Sequence, residues 1–416
     1  MKKIRRAVSV LIASAMLAAT FAGCEKEVTA ENLMEGITSQ NASEVDLDDE
    51  FCQKYSTFAF KLLQKAYQSD EENIIISPLA VAHNLALLYN GAGGDTAEEL
   101  KNLLGSSRTV DQLNVYMHSY EERLTDSDMT KLYFNNATWF NADKNVSVNE
   151  EFLQSNATYF GNAMFKETFG ADAVTNVSNW VSNETQQYVE YIVDELPADA
   201  PMYMMSSVML DGSWSKQYSY QNIQDSVFTT AAGEEQKAQM MSSYEQAYIH
   251  DDLSSGFVKE FSGGNYAFVA ILPREFTNVK DYIASVAVGD KYMKMFKNEM
   301  PYFVDATIPK FTCEYRGGMA DTLKELNLSQ AFNPAAANLL KLGTSDGKLY
   351  AGDLYVRDSF TVTEKGTSKG TAASVADNNG IPTDLFVITL DRPFLFMVID
   401  RNYNLPVMLG VVNSLA

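Results

Sequence analysis

Cysteine is almost missing from this chain of 416 residues: Cys24, Cys52 and Cys313 are too few for a disulfide framework. Histidine is as scarce, with only His83, His118 and His250. No HExxH, glycine-rich phosphate loop or GxSxG accompanies them. These absences argue against catalysis, so no catalytic residue, metal ligand or cofactor is expected. His83 reads as a structural residue among apolar helix neighbours, and Asp251-Asp252 and Glu234-Glu235 as solvated loop charge. Basic residues are also short, 32 Lys and Arg against 54 Asp and Glu, a net charge of −22. Such a surface disfavours nucleic acid or an anionic membrane as partner and attracts a basic target at long range. Internal repeats and long low-complexity segments are absent, and no Pro-, Gly- or Ser-rich linker interrupts the chain after residue 50. One large domain is the simplest account.

At the N-terminus, Lys2, Lys3, Arg5 and Arg6 precede an apolar run from Ala7 to Gly23 that ends in Phe-Ala-Gly-Cys24. Residues 1–23 read as a bacterial export signal with a lipobox, Phe21 standing where Leu is usual, and Cys24 as the lipidated mature N-terminus. The run is short for a stable membrane span. Its removal takes four basic residues and no acidic ones, leaving 28 against 54, a charge of −26. The expected location is the cell surface, anchored through Cys24 or released from it. Residues 24–49 are acidic and polar and lack aromatics, which predicts a flexible tether before a folded domain over 50–416.

Within the domain, Phe51, Tyr55, Phe58 and Leu62 define one apolar helical face. Asn73 to Ile76 reads as a short strand, and Ser77-Pro78 as an N-cap followed by proline at the first helical position, the helix stopping near Gly91. Asp95 to Glu98 has capping-box spacing, with Gly105 as terminator. Later, Tyr266–Leu272, Leu385–Leu390, Phe394–Ile399 and Val407–Val412 are continuous apolar runs, predicting strands covered on both faces. Cys52 opens an amphipathic helix and Cys313 falls in a strand-like run, so both are expected as buried thiols. Helices first and strands later on one core give an α+β domain.

Five blocks, in order, resemble the serpin family from about Phe51 to Ala416: NIIISPLAVAHNLALLYNGAGGDTAEELKNLLG from Asn73; NNATWF from Asn135 with NWVSNET from Asn179; LDGSW from Leu210; IPKFTCEY from Ile308; and ITLDRPFLFMV from Ile388. The resemblance implies a fold of three β-sheets and eight or nine helices, with an exposed reactive loop at about 364–390. It implies a monomer that inhibits serine proteases irreversibly. The protease cleaves the loop and forms an acyl-enzyme, and the loop then inserts as a new central strand, distorting the protease before hydrolysis finishes. A serpin-folded protein that binds or transports without inhibiting, or is a mere protease substrate, is the alternative.

The loop lies in TVTEKGTSKGTAASVADNNGIPTDLFVITLDRPFLFMVID, from Thr361 to Asp400. By the resemblance Glu364 starts the hinge, Gly366 is the pivot, Thr367 is the first side chain to enter the sheet, and Thr371, Ala372 and Ala373 are small enough to follow. Counting from Glu364 puts the reactive bond at Gly380–Ile381, and counting back from DRPF puts it nearer Pro382, which leaves a window from Asn379 to Pro382. No Arg or Lys lies there, pointing to an elastase-like or subtilisin-like target. Strand alternation sends Lys369 into the core with Thr367, Thr371, Ala373 and Val375. A buried ammonium must snorkel, meet a carboxylate, or slow insertion.

The sheet-opening region departs from the family. Ser77 is kept and Trp214 matches the tryptophan at the top of the main sheet, but Ala80, Ser206 and Val356 stand where the family has Ser, Asn and His. Removing both partners of a buried hydrogen bond is nearly neutral, so the gate is expected to open by packing. On sequence alone, slow insertion predicts leakage into substrate turnover, and Lys369→Ala should lower the number of inhibitor molecules consumed per protease in a titration.

Overall fold

The computed structural model describes residues 25–68, 72–105, 107–367, 374–375 and 385–415. Cys24 and the signal segment therefore lie outside it, as do Lys369, Thr371, Ala372, Ala373 and the Asn379–Pro382 window. Strands and helices are labelled in chain order.

The main sheet has six strands in the order β1 (Glu31–Asn32), β5 (Ala163–Glu167), β3 (Thr130–Asn141), β6 (Met202–Gly212), β16 (Ala351–Val362) and β14 (Phe311–Gly318). A second runs β10 (Tyr248–His250), β11 (Ser254–Glu260), β12 (Tyr266–Pro273), β19 (Phe394–Asp400), β20 (Pro406–Val412) and β2 (Ile74–Ile76). The third is β18 (Leu385–Thr389), β13 (Phe303–Pro309), β9 (Glu235–Glu245) and β8 (Ile223–Thr229). Two short pairs complete the set, β15 (Gly343–Thr344) with β4 (Ser147–Val148), and β17 (Ser374–Val375) with β7 (Lys216–Gln217). Nine α-helices are present among the described residues. The α+β architecture implied by the resemblance, with three large sheets, is the one observed.

Local sequence explains most elements. Helix α1 (Asp49–Ala66) buries Phe51, Tyr55, Phe58 and Leu62 on its apolar face. Ser77 caps α2 (Pro78–Gly91), its hydroxyl accepting from the Ala80 N–H at 3.2 Å. This helix is buried almost all round, so its core contacts rather than amphipathicity hold it. Cys52 and Cys313 are buried thiols, both pushed up by desolvation, Cys52 to about 12.

Three expectations are corrected. The capping box at Asp95 does not form, because α3 (Gly94–Leu100) starts earlier, with Gly93 as N-cap and Gly94 at φ +53°. Strand β18 is not covered on both faces: it is a sheet edge and leaves Val387 69% exposed. Residues 25–48 are not a loose tether but lie along the body. Glu31 and Asn32 pair with Lys166 and Phe165 of β5, Lys26 and Asn183 exchange two hydrogen bonds, and Leu47 is buried. The segment lacks aromatics, yet it satisfies a sheet edge, which composition does not reveal.

This segment ends at Asp48, the N-cap of α1, which accepts from the Phe51 N–H at 2.8 Å, from Tyr116 at 2.6 Å and from Arg108 through both oxygens. Partial burial works to raise its carboxyl, but these donors outweigh it and hold the carboxyl below its usual value. Asp48→Ala should cost about 1–2 kcal/mol in urea unfolding, the worth of a strong N-cap. Because the folded state lowers this carboxyl, its contribution is present at neutral pH and lost as pH falls through the folded value. The wild type and Asp48→Ala should therefore converge in stability in acid.

Candidate functional site

Strands β6 and β16 pair in parallel from Met202 with Ala351 to Met209 with Ser359. Beyond that pair they part, so the sheet forks near the end of β6, and the hinge enters the fork. The chain turns back after Val362: the Thr363 N–H donates to the Gly366 carbonyl at 2.8 Å, and the Thr363 hydroxyl donates to it at 3.0 Å. Gly366 then bridges Ser213 in the antiparallel sense. Thr367 follows, its N–H donating to the Gly212 carbonyl at 2.9 Å, while its hydroxyl accepts from the Gly212 N–H at 2.9 Å and donates to Asp211 at 3.1 Å. Thr367 is 4% exposed, a side chain already seated in the sheet.

Glycine is required at position 366. Its φ is +139°, and a Cβ there would lie 2.0 Å from the Gly212 carbonyl oxygen. Glu364, the first hinge residue, is held by Lys310 at 2.8 Å, and that hydrogen bond keeps its carboxyl low.

A rigid platform supports the turn. Trp214 is fully buried, stacked on Phe261 at 4.5 Å between ring centroids. Its indole N–H donates to the Thr363 carbonyl at 2.8 Å and its backbone N–H to the Lys365 carbonyl at 2.9 Å. The Tyr218 N–H donates to the Glu364 carbonyl at 3.0 Å. Beneath lies a buried ion pair, Lys259 with Glu245 at 2.7 Å, and the ammonium also donates to the Lys216 carbonyl at 3.1 Å and faces the Tyr218 ring at 4.3 Å. Further along the loop, Ser374 and Val375 pair in parallel with Lys216 and Gln217.

Below the fork, Val356 and Ser206 face each other across β16 and β6. The Ser206 hydroxyl is buried and makes no hydrogen bond to protein among the described residues. The gate is nevertheless polar, which corrects the expectation that packing alone governs it. Asp358, two residues beyond Val356 and fully buried, accepts from the Ser77 N–H at 2.8 Å and from the Val208 N–H of β6 at 3.2 Å. Ser77 donates its hydroxyl to the Val407 carbonyl at 2.8 Å. Asn84 donates to the Ala80 carbonyl at 2.9 Å and to Asn136 at 2.7 Å, and receives from Asn162, which also meets His83. His83 pairs with Glu121 at 2.7 Å, the structural role its neighbours suggested.

The sequence reading thus brings Ser77, Ala80, Ser206, Trp214, Val356, Glu364, Gly366 and Thr367 to one seam, and it missed Asp358, Lys259, Glu245 and Asn84. A signal for Asp358 was available. It falls in the inward register of Leu354, Val356, Phe360 and Val362, where every other residue is apolar.

A family profile described as "Serpin (serine protease inhibitor)" matches residues 53–415. A thermophilic serpin, tengpin, solved in its native state, is 34% identical, with 93% of this chain and 100% of that one covered and a TM-score of 0.89. Against the latent state of tengpin the TM-score is 0.78, at 32% identity over 90% of this chain and 100% of that one. An uncharacterised serpin-like protein of Methanosarcina mazei is 23% identical over 97% of both chains.

Gly366→Ala tests the seating of the hinge. The added methyl and the strained φ should cost the seated turn about 1–3 kcal/mol. The measurement is hydrogen exchange at Thr367 and Trp214, which should accelerate about tenfold or more while exchange in β12 and β19 stays as in the wild type.

Proposed function

The chain belongs to the serpin family, the serine protease inhibitors, and from that premise we propose that it is a suicide-substrate inhibitor whose loop completes the main sheet after cleavage. One observation carries this reading. The sheet is forked above Met209 and Ser359, and the hinge is seated in the fork through Thr367, antiparallel to β6 as a new central strand must be. Serpins are generally inhibitors rather than catalysts, and they target serine proteases.

In this mechanism a protease attacks the loop between Asn379 and Pro382, with Gly380–Ile381 the first candidate bond, and becomes acylated. The severed loop is then free to zip downward from Thr367, and each residue inserted exchanges solvated backbone groups for ladder hydrogen bonds. The protease is carried with it, and loss of its oxyanion donors strands the acyl-enzyme. The target is elastase-like or subtilisin-like, since the window offers only small, polar or aliphatic residues.

The same proposal includes export and lipidation at Cys24. Lys26 already bonds to Asn183, so a lipid on Cys24 would hold the body close against the membrane rather than on a tether. Labelling with a radioactive fatty acid should mark the wild type and spare Cys24→Ser.

The deciding experiment is incubation with an elastase and with a subtilisin, followed by denaturing electrophoresis. A complex that survives SDS, with the released C-terminal fragment beginning between Gly380 and Thr383, is the expected result. Clean cleavage without complex would favour a non-inhibitory protein of this fold.

A further inference from the structure

The segment that joins α6 (Ala171–Glu184) to β6 is fastened to both halves of the forked sheet. The chain leaves α6 through Gln186 and Gln187, both left-handed at φ +50° and +67°, a conformation that residues other than glycine adopt at a cost. This turn is held by the Gln187 N–H, which donates to the Ser182 carbonyl at 2.7 Å, and by Tyr133 of β3, whose hydroxyl donates to Gln186 at 3.0 Å. Tyr188 then donates to Asp211 of β6, the carboxylate that also accepts from Thr367. Beyond it Val189, Ile192, Val193 and Leu196 are buried in one apolar cluster with Met205 and Met209 of β6. On the far side Asp194 pairs with Arg316 of β14 at 2.7 Å, and the same guanidinium lies over the Tyr191 ring at 4.7 Å.

The strand registers put these two fastenings on either side of the fork's apex. Met209 and Ser359 are the last paired residues of β6 and β16, and Asp211 lies two residues past Met209. Arg316 pairs with Arg357, which pairs with Ser207, two residues before Met209. The segment therefore crosses the sheet where the next separation of β6 from β16 must occur. In the outward layer between Met205 and Met209, Ser207 and its partner Asn135 of β3 bury Oγ and Nδ2 atoms that bond to no protein atom among the described residues. Apolar packing is interrupted there, so the hold at the apex rests more on charge. Residues 185–200 carry four carboxylates, Glu190, Asp194, Glu195 and Asp199, and no Lys or Arg. Among the described residues Asp194 alone of the four is paired with a cation. Arg316 faces a like charge across the strands in Arg357, which is itself paired with Glu314 at 2.9 Å, so Asp194 is what offsets Arg316.

We propose that Arg316, by holding Asp194, keeps this segment strapped across the apex, and that ionic strength thereby sets how readily the main sheet opens for the loop. Resting on the insertion mechanism above, the strap is a brake that must lift before a new central strand can enter. Admitting that strand puts one more spacing of about 4.8 Å between the two halves of the sheet. A contact of 2.7 Å does not survive such a displacement, so one fastening lets go first. Tyr188 and Asp211 are both half-buried, whereas Arg316 is 30% and Asp194 72% exposed. The ion pair is therefore the weaker fastening and the one that salt reaches. Asp211 keeps its hold on Thr367 while the far end lifts, so release of the strap leaves the hinge seated.

The test uses the full chain, as wild type, Arg316→Met, Asp194→Asn and the double variant, with Glu190→Gln as a control that removes a strap charge lacking a cation partner. Hydrogen exchange at Ile192 and Val193 is measured from about 0.05 M to about 1 M sodium chloride, where the screening length falls to about 3 Å. At low salt each single variant should exchange about two- to fivefold faster than the wild type, the double variant no faster than the singles, and Glu190→Gln at the wild-type rate. At high salt the wild type should catch up with Asp194→Asn. Titration of an elastase at low salt should show Arg316→Met and Asp194→Asn consuming fewer inhibitor molecules per protease than the wild type, with the difference gone at high salt. Additive variants, or a difference that salt leaves unchanged, would overturn the ion pair as the fastening. Variants that speed exchange without changing inhibitor consumption would overturn the brake and leave the insertion mechanism standing. A wild type that forms no SDS-stable complex and gains no stability on cleavage would overturn the insertion mechanism, and the brake with it.

Discussion

The arrangement on which the rest of the molecule depends is the parting of β6 from β16 above Met209 and Ser359. Each of these strands keeps its other neighbour, β3 or β14, all the way up. Their facing edges therefore open onto a gap whose backbone groups need partners. At its mouth the partners are the hinge itself, through Gly366 and Thr367, with Trp214 and Tyr218 holding the carbonyls of the turn. The hinge is thus both part of the native sheet and the first segment of the strand that could replace the gap. Individual hydrogen bonds of this kind contribute about 0.5–1.5 kcal/mol, so a handful suffices to hold the turn closed without making it permanent.

Charge is buried in this seam. Lys259 and Glu245 lie under the turn, Asp358 lies at the fork, and His83 with Glu121 ends the asparagine network behind β3. Buried ions cost several kcal/mol each unless paired and hydrogen-bonded. Lys259 of β11 and Glu245 of β9 meet that condition, pairing with each other while the ammonium also donates to the Lys216 carbonyl. Asp358 meets it only in part, through the Ser77 and Val208 N–H groups. A gate of this kind differs from one opened by packing alone, because parting β6 from β16 here breaks a hydrogen bond to a buried carboxylate.

The fold was legible where local patterns decide structure. The Ser77-Pro78 cap, the buried face of α1 and the apolar runs of β12, β19 and β20 follow from side-chain periodicity and stereochemistry. Misreadings came where tertiary context overrode a local cue. The box at Asp95 lost to the Gly93-Gly94 turn, and the apolar run at Leu385 became a sheet edge that leaves Val387 exposed. The acidic segment before Asp48 reads as a tether because composition reports only the missing core, not an available sheet edge.

The sequence by itself determined most of the elements and the family. Those are consequences of neighbours along the chain, which backbone stereochemistry and side-chain period relate over a few residues. Only the tertiary structure decided what Asp358 would meet. Asp358 and Val208 are separated by 150 residues, and their pairing is set by sheet register. Register is fixed by hydrogen bonds and burial between distant segments, a physical relation that no local pattern in the chain contains.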